Sequence, residues 1–156
     1  MAQFLFRHLA LQKGFTVSDD IYDYADLYVD SAATSREEIG NPVDRRTAAK
    51  LKEHGVFCGY HSARQVTAKD YQIFDLIIIM DRENQWGIRR ILHNDPMDKI
   101  HFMLEYAKDN KYKNPDGSVR DVSDPWYTHD FETTYSDLYD GCSGLIDHLL
   151  VRKEKE

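Results

Sequence analysis

Asp75-Leu76-Ile77-Ile78-Ile79-Met80 is the stretch that decides the fold. A continuous apolar run this short, rich in β-branched residues, reads as a strand buried on both faces, the pattern of a parallel sheet. Asp81 stands at its carboxyl end, and Arg82 to Leu92 reads as a helix. A strand handing directly to a helix is the repeating step of α/β proteins.

Toward the C-terminus, Lys99-Ile100-His101-Phe102-Met103 reads as another strand. Lys108 to Arg120 is polar and contains Gly and Pro, which suggests a surface excursion. A final helix is predicted from about Phe131 to Arg152, with Tyr135, Leu138, Cys142, Leu145, Ile146 and Leu149 as its inward stripe. Toward the N-terminus, Thr67-Ala68-Lys69-Asp70 has the form of a capping box and opens a short helix to Phe74. Gly59 to Val66 is irregular, and Val56-Phe57-Cys58 is a short apolar run. Asp44 caps a helix through His54, and Gly55 stops it. Leu27 to Ser31 has strand composition, and residues 15–26 read as a polar, acidic connection. Met1 to Lys13 reads as a helix with Ala2, Leu5, Phe6 and Leu9 on one face and Gly14 as its stop. This alternation is that of an open parallel α/β sheet with helices on both faces. In such sheets a site forms beyond the carboxyl ends of the strands. Ser31, Asp81 and the loop carrying Asp124 would then face one crevice.

That late loop is Val122-Ser123-Asp124-Pro125-Trp126-Tyr127. Pro125 biases Asp124 toward extended geometry and fixes the chain direction after it. The arrangement can hold a carboxylate at the mouth of an aromatic-walled pocket. It is also, and more commonly, the form of an Asp-Pro turn whose aromatics anchor the loop to the core.

Bulk properties narrow the function. The 156 residues are 42% hydrophobic and 30% charged, as in one globular domain, and the net charge is −7. An acidic chain lacks the basic face that nucleic acid or an anionic membrane requires. Leu76 to Met80 is far too short to span a bilayer, and the first residues carry no signal-peptide pattern. Cys58 and Cys142 show no metal-ligand spacing, and the histidines form no metal pattern with acids. A reduced cytoplasmic protein without metal or cofactor is expected.

Six segments taken together resemble the low-molecular-weight protein-tyrosine phosphatase family. They are Asp30-Ser31-Ala32-Ala33-Thr34-Ser35, then Ile39-Gly40-Asn41-Pro42 with Asp44, then Lys52-Glu53-His54-Gly55, then His61 with Ala63-Arg64-Gln65-Val66-Thr67. Phe74-Asp75-Leu76 with Met80-Asp81-Arg82-Glu83-Asn84 follows, and last comes Asp124-Pro125-Trp126-Tyr127 with Asp130-Phe131-Glu132. The resemblance implies a four-stranded parallel sheet of the Rossmann-like phosphatase type and hydrolysis of phosphotyrosine through a phosphocysteine. It implies no cofactor, and as substrate a phosphotyrosine-containing protein or a small aryl phosphate. It makes Asp124 the general acid, puts Trp126 and Tyr127 on the pocket walls, and sets Glu37 at the rim, where its charge disfavours acidic phosphopeptides. Ser31, His61 and Asp81 match positions that brace a phosphate loop. Each has another reading, as a strand-end serine, a surface histidine and a helix cap.

The family's C-x5-R-S loop, which carries the nucleophile, lies between a first strand and a first helix. This chain begins Met1-Ala2-Gln3, where that helix begins. The resemblance therefore implies that the first strand, the nucleophile and the phosphate arginine are missing, and that the chain as written is an inactive, N-terminally shortened domain. Cys58 to Arg64 matches C-x5-R literally, but Gln65-Val66 separates Arg64 from the next helix cap. A working loop hands straight to a helix N-terminus, whose N–H groups hold phosphate and thiolate. A non-catalytic phosphotyrosine-binding module is the competing reading. Arsenate reduction is a third, and it requires further positioned redox cysteines.

Overall fold

The computed structural model describes residues 1–153. Helix α1 (Ala2–Gln12) forms where the apolar spacing predicts, and it buries Phe4, Leu5, Phe6, Leu9 and Ala10. The chain leaves it through Gly14, whose φ of 85° lies in the left-handed region that glycine enters without strain. α1 then packs along the last helix.

The next stretch departs from expectation. Residues 15–26 are not only a connection, because Val17–Ser18 form strand β1. β1 pairs in parallel with β2 (Leu27–Tyr28), and Val29 N–H donates to the Ser18 carbonyl. The acidic residues between them work locally. Asp26 accepts the Thr16 N–H and hydroxyl at 2.8 and 3.0 Å, and Asp23 accepts the Ser18 hydroxyl.

Helix α2 (Arg45–Glu53) begins where Asp44 accepts the N–H groups of Arg46 and Thr47. Helix α3 (Ala68–Ile73) begins with both halves of the expected capping box, Thr67 and Asp70. The central apolar run supplies β3 (Ile77–Ile79), which pairs in parallel with β4 (Ile100–Phe102). Helix α4 (Arg82–Leu92) lies between them in sequence and is capped by Asp81. A single helical turn, α5 (Pro125–Thr128), and the long α6 (Phe131–Lys153) complete the chain.

The sheet is not the four-stranded one expected. Among the described residues it consists of two separate parallel pairs, β1–β2 and β3–β4. β3 does separate two apolar clusters, as its composition predicts. Leu76, Ile78 and Met80 face the main core with α1 and α6, while Ile77 and Ile79 face Val66 and Ile88. It is nonetheless not fully buried. Only Ile79 is, because β3 has a strand neighbour on one side alone and side chains along the other edge keep some solvent. The segment 108–120 is also less exposed than its polarity suggests. A 3-10 turn at Asn110–Tyr112 buries the Tyr112 ring, and its hydroxyl donates to Asp140.

Candidate active site

The loop after residue 121 is pinned from two sides. Val122 N–H donates to the carbonyl of Met80, at the carboxyl end of β3. α6 holds the next residue through two side chains. The Thr134 hydroxyl donates to the Ser123 carbonyl at 2.6 Å, and Ser123 N–H donates to Asp137 at 3.2 Å. Asp137 is buried and pairs with the Arg120 guanidinium through two bonds of 2.8 and 2.7 Å. That pairing keeps a buried carboxylate compensated.

Asp124 then caps α5, its carboxylate accepting the Trp126 N–H at 2.8 Å. Pro125 occupies the first helical position, where its fixed φ suits the helix and its missing N–H costs nothing. The two aromatics do not anchor the loop to the core. Trp126 is 63% and Tyr127 71% exposed. The Asp-Pro segment is thus a rigid capped turn that presents two rings to solvent.

Burial pushes the Asp81 carboxyl above its usual range, and the charges of Asp121 and Asp124 add to the rise, against the Asn84 N–H bond. Its helix-cap role is explicit, since Asn84 N–H donates to it at 2.6 Å and Met80 N–H donates to the Asn84 side chain. Arg82, next in sequence, pairs with Asp121 and bonds the Val119 carbonyl, tying α4 to the segment before the loop.

Ser31 and His61 meet. The Ser31 hydroxyl donates to Gln3 of α1 at 2.6 Å, which leaves its oxygen to accept from His61 Nε2 at 3.2 Å. Gln3 was not predicted as part of this cluster; only its polarity on an apolar helix set it apart. Beside them Arg64 spans two carboxylates. It bonds Asp30 at 2.9 Å and Asp70 through a parallel pair at 3.0 Å each. Arg64 is therefore fully engaged at the β2 end and the α3 cap, which removes it from any phosphate loop built on Cys58. Glu37 is exposed on a separate turn and makes no hydrogen bond or ion pair among the described residues.

Burial would raise the Asp70 carboxyl, but the Arg64 and Thr67 bonds outweigh it and hold the carboxyl below its ordinary value. Such a group contributes stability above the unfolded carboxylate pKa, near 4, and loses that contribution as pH falls through the folded value. Arg64→Met is expected to cost about 2 kcal/mol at neutral pH, a figure moderated by the partial exposure of the guanidinium. The gap from the parent protein should narrow in urea melts at about pH 3. An equal gap at both pH values would contradict the assignment.

Neither cysteine has the setting of a nucleophile. Cys142 is fully buried on α6, and desolvation pushes its thiol up to about 12. Cys58 is partly buried in an irregular segment, its thiol near the Gly59 carbonyl at 3.9 Å. Among the described residues no group of three or more His, Cys, Asp or Glu is placed to hold a metal ion. No described helix is long and apolar enough to cross a membrane.

Comparison with known proteins identifies the family. The family model described as low molecular weight phosphotyrosine protein phosphatase matches residues 1–156. That match runs the length of the chain, and so lends no support to the expectation of a missing first strand and loop. The low molecular weight protein-tyrosine-phosphatase YfkJ of Bacillus subtilis is 32% identical over 156 residues, covering 100% of this chain and 89% of the relative. The low molecular weight phosphotyrosine protein phosphatase of Gallus gallus is 36% identical over 123 residues, covering 76% of this chain and 72% of the relative. The crystal structure of YfkJ superimposes with a TM-score of 0.79, covering 99% of this chain and 87% of that one. The Streptococcus pyogenes low molecular weight protein tyrosine phosphatase, 29% identical, gives 0.72 over 95% of this chain and 82% of that one. With the matched family model and relatives above 30% identity, this chain belongs to the low-molecular-weight phosphotyrosine protein phosphatase family.

Proposed function

We propose that the chain takes part in hydrolysis of phosphotyrosine, with Asp124 as the proton donor and a cysteine thiolate outside residues 1–156 as the nucleophile. The observation that carries this is the rigid placement of Asp124 at the head of a turn bearing two exposed aromatics, Trp126 and Tyr127. An aryl ring laid against those aromatics brings its bridging oxygen toward the carboxyl that precedes them. The thiolate attacks phosphorus, an S–P bond forms and the P–O bond to the phenol breaks. Asp124 delivers its proton to the departing oxygen, so no free phenolate is expelled. Water then attacks the phosphocysteine, gives its proton to the Asp124 carboxylate, and the S–P bond breaks to release phosphate and thiolate. Ser31, His61 and Asp81 support the surrounding backbone. Glu37 stands at the rim and repels acidic substrate flanks.

The absence of a suitable thiol favours placing the nucleophile elsewhere. Cys142 is buried with its thiol raised to about 12, and Arg64 is committed to Asp30 and Asp70. The same observation favours a second reading, a phosphotyrosine-binding module without turnover. One experiment separates them. The protein purified from its own cells is mixed with a radiolabelled aryl phosphate, quenched with acid during turnover and digested. The label is expected on a cysteine peptide outside residues 1–156, with residues 1–156 alone giving no turnover. Label on Cys58 would overturn the nucleophile assignment. Saturable binding of the phosphotyrosine analogue with no phenol released would establish the binding module instead.

A further inference from the structure

α2 carries Arg46 and Lys50, and His54 is its C-cap; the four-residue intervals put the three on one face a turn apart. All three reach the α5–α6 junction. The Arg46 guanidinium lies 5.9 Å from the Trp126 ring centre and 5.0 Å from that of Phe131. Lys50 Nζ meets the Glu132 carboxylate at 3.0 Å, and His54 Nε2 meets it at 3.1 Å. The His54 ring stacks on Tyr135 with centres 3.7 Å apart and planes within 9°. Arg46 itself is fixed at its far side, because Asp44 accepts its Nε–H and a terminal N–H at 3.2 and 3.0 Å. Asp44 is in turn immobilised as the α2 cap.

We propose that Arg46 is a positioning residue for the acid loop: with the orientation of its guanidinium plane fixed by Asp44, it seats the Trp126 ring and so orients the turn that Asp124 caps. This rests on Asp124 being the general acid. A four-residue helix has almost no intrinsic stability, since nucleating a turn is costly. α5 keeps its shape only through what surrounds it. Upstream, α6 pins Ser123 through Thr134 and Asp137. Downstream, Trp126 and Tyr127 are mostly solvent-exposed, and among the described residues the cation that reaches the Trp126 ring is Arg46. Phe131 shares the same guanidinium, so the entry to α6 and the end of the acid loop close on one group. The grip of Lys50 and His54 on Glu132 keeps α2 and α6 in register, so that Arg46 stays over both rings. A lysine would supply the charge. It would not supply a plane fixed by two bonds to Asp44.

The test follows amide exchange at Trp126, whose N–H bonds Asp124, against exchange at Leu145 in the core. It uses the full chain with Arg46→Met and Arg46→Lys. Loss of an exposed cation–π contact corresponds to roughly two- to fivefold in a local equilibrium. Arg46→Met should therefore speed exchange at Trp126 by about that factor, with Arg46→Lys intermediate and Leu145 unchanged. In the turning-over protein, kcat/KM toward aryl phosphates with poor leaving groups should fall by a similar factor. kcat/KM toward p-nitrophenyl phosphate, whose departure needs little proton assistance, should stay the same. Equal acceleration at Trp126 and Leu145 would mark a general loss of stability and overturn the proposal, as would no acceleration at Trp126. Acceleration confined to Trp126 with no change in leaving-group dependence would uphold the clamp and sink the general-acid role of Asp124.

Discussion

Gly144→Ala is expected to lower stability by about 3 kcal/mol or more, at the upper end of the cost of overpacking. A β-carbon at Gly144 would lie 1.8 Å from the Tyr106 carbonyl oxygen and 2.7 Å from its carbon. These are backbone atoms just beyond the 3-10 turn Met103–Glu105, so no side-chain rotation relieves the clash. Either α6 lifts away, opening the core shared by Leu138, Cys142 and Leu145, or the 103–107 segment moves and strains β4 just before it. Domains of this kind are stable by only about 5–15 kcal/mol. At roughly 2–4 °C per kcal/mol for a chain of this size, the melting temperature should drop by about 10 °C. Gly117→Ala is the natural control. It has open space around its β-carbon and a φ of 84°, so it carries backbone strain without a clash and should cost about 1 kcal/mol. Equal effects at the two sites in denaturant melts would show that α6 does not pack on bare backbone at Gly144.

Asp124→Asn is expected to have the largest effect on catalysis, a loss of about 10²- to 10⁴-fold in turnover by the protein isolated from its own cells. The substitution is informative because it spares the local structure. Asparagine caps helices as well as aspartate does, and its amide oxygen can still accept the Trp126 N–H. What disappears is the proton for the leaving group and, in the second step, the base for the attacking water. The loss in kcat/KM should therefore be steep for phenols of high pKa and shallow for p-nitrophenol, on top of a loss in the second step common to all substrates. An unaltered leaving-group dependence would remove Asp124 from the mechanism. A loss accompanied by a lower melting temperature would point to a broken cap instead.

The local signals in the sequence carried through because they act over a few residues. Asp44, Thr67 with Asp70, and Asp81 cap the helices they precede, whereas the turn of helix that Asp124 caps reads as loop in the sequence. The inward stripe of α6 is buried at Tyr135, Leu138, Cys142, Leu145 and Ile146, with Leu149 partly so. Ser31 and His61, thirty positions apart, share a hydrogen bond. Other features had no local signal. Gly141 and Gly144 carry no local signal, although a β-carbon at either would collide with Met103 or Tyr106. Tyr112 sits in a polar run, and burial there depends on Asp140 arriving from α6. The basic stripe Arg46, Lys50 and His54 has visible helical spacing, yet its acidic and aromatic partners lie more than seventy positions later.

By itself the sequence determined where helices start, which helix faces are apolar, and which family the motifs resemble, because capping and periodicity are properties of neighbouring residues. Only the tertiary structure decided that the strands form two separate parallel pairs, that β3 keeps a partly exposed edge, and that Arg64 bridges Asp30 and Asp70 rather than serving Cys58. It also decided that Trp126 and Tyr127 face solvent beside a capped carboxylate. The physical reason is the same in each case. Strand pairing, ion-pair choice and side-chain exposure depend on groups far apart in the chain, and their outcome exists only once the core has brought those groups together.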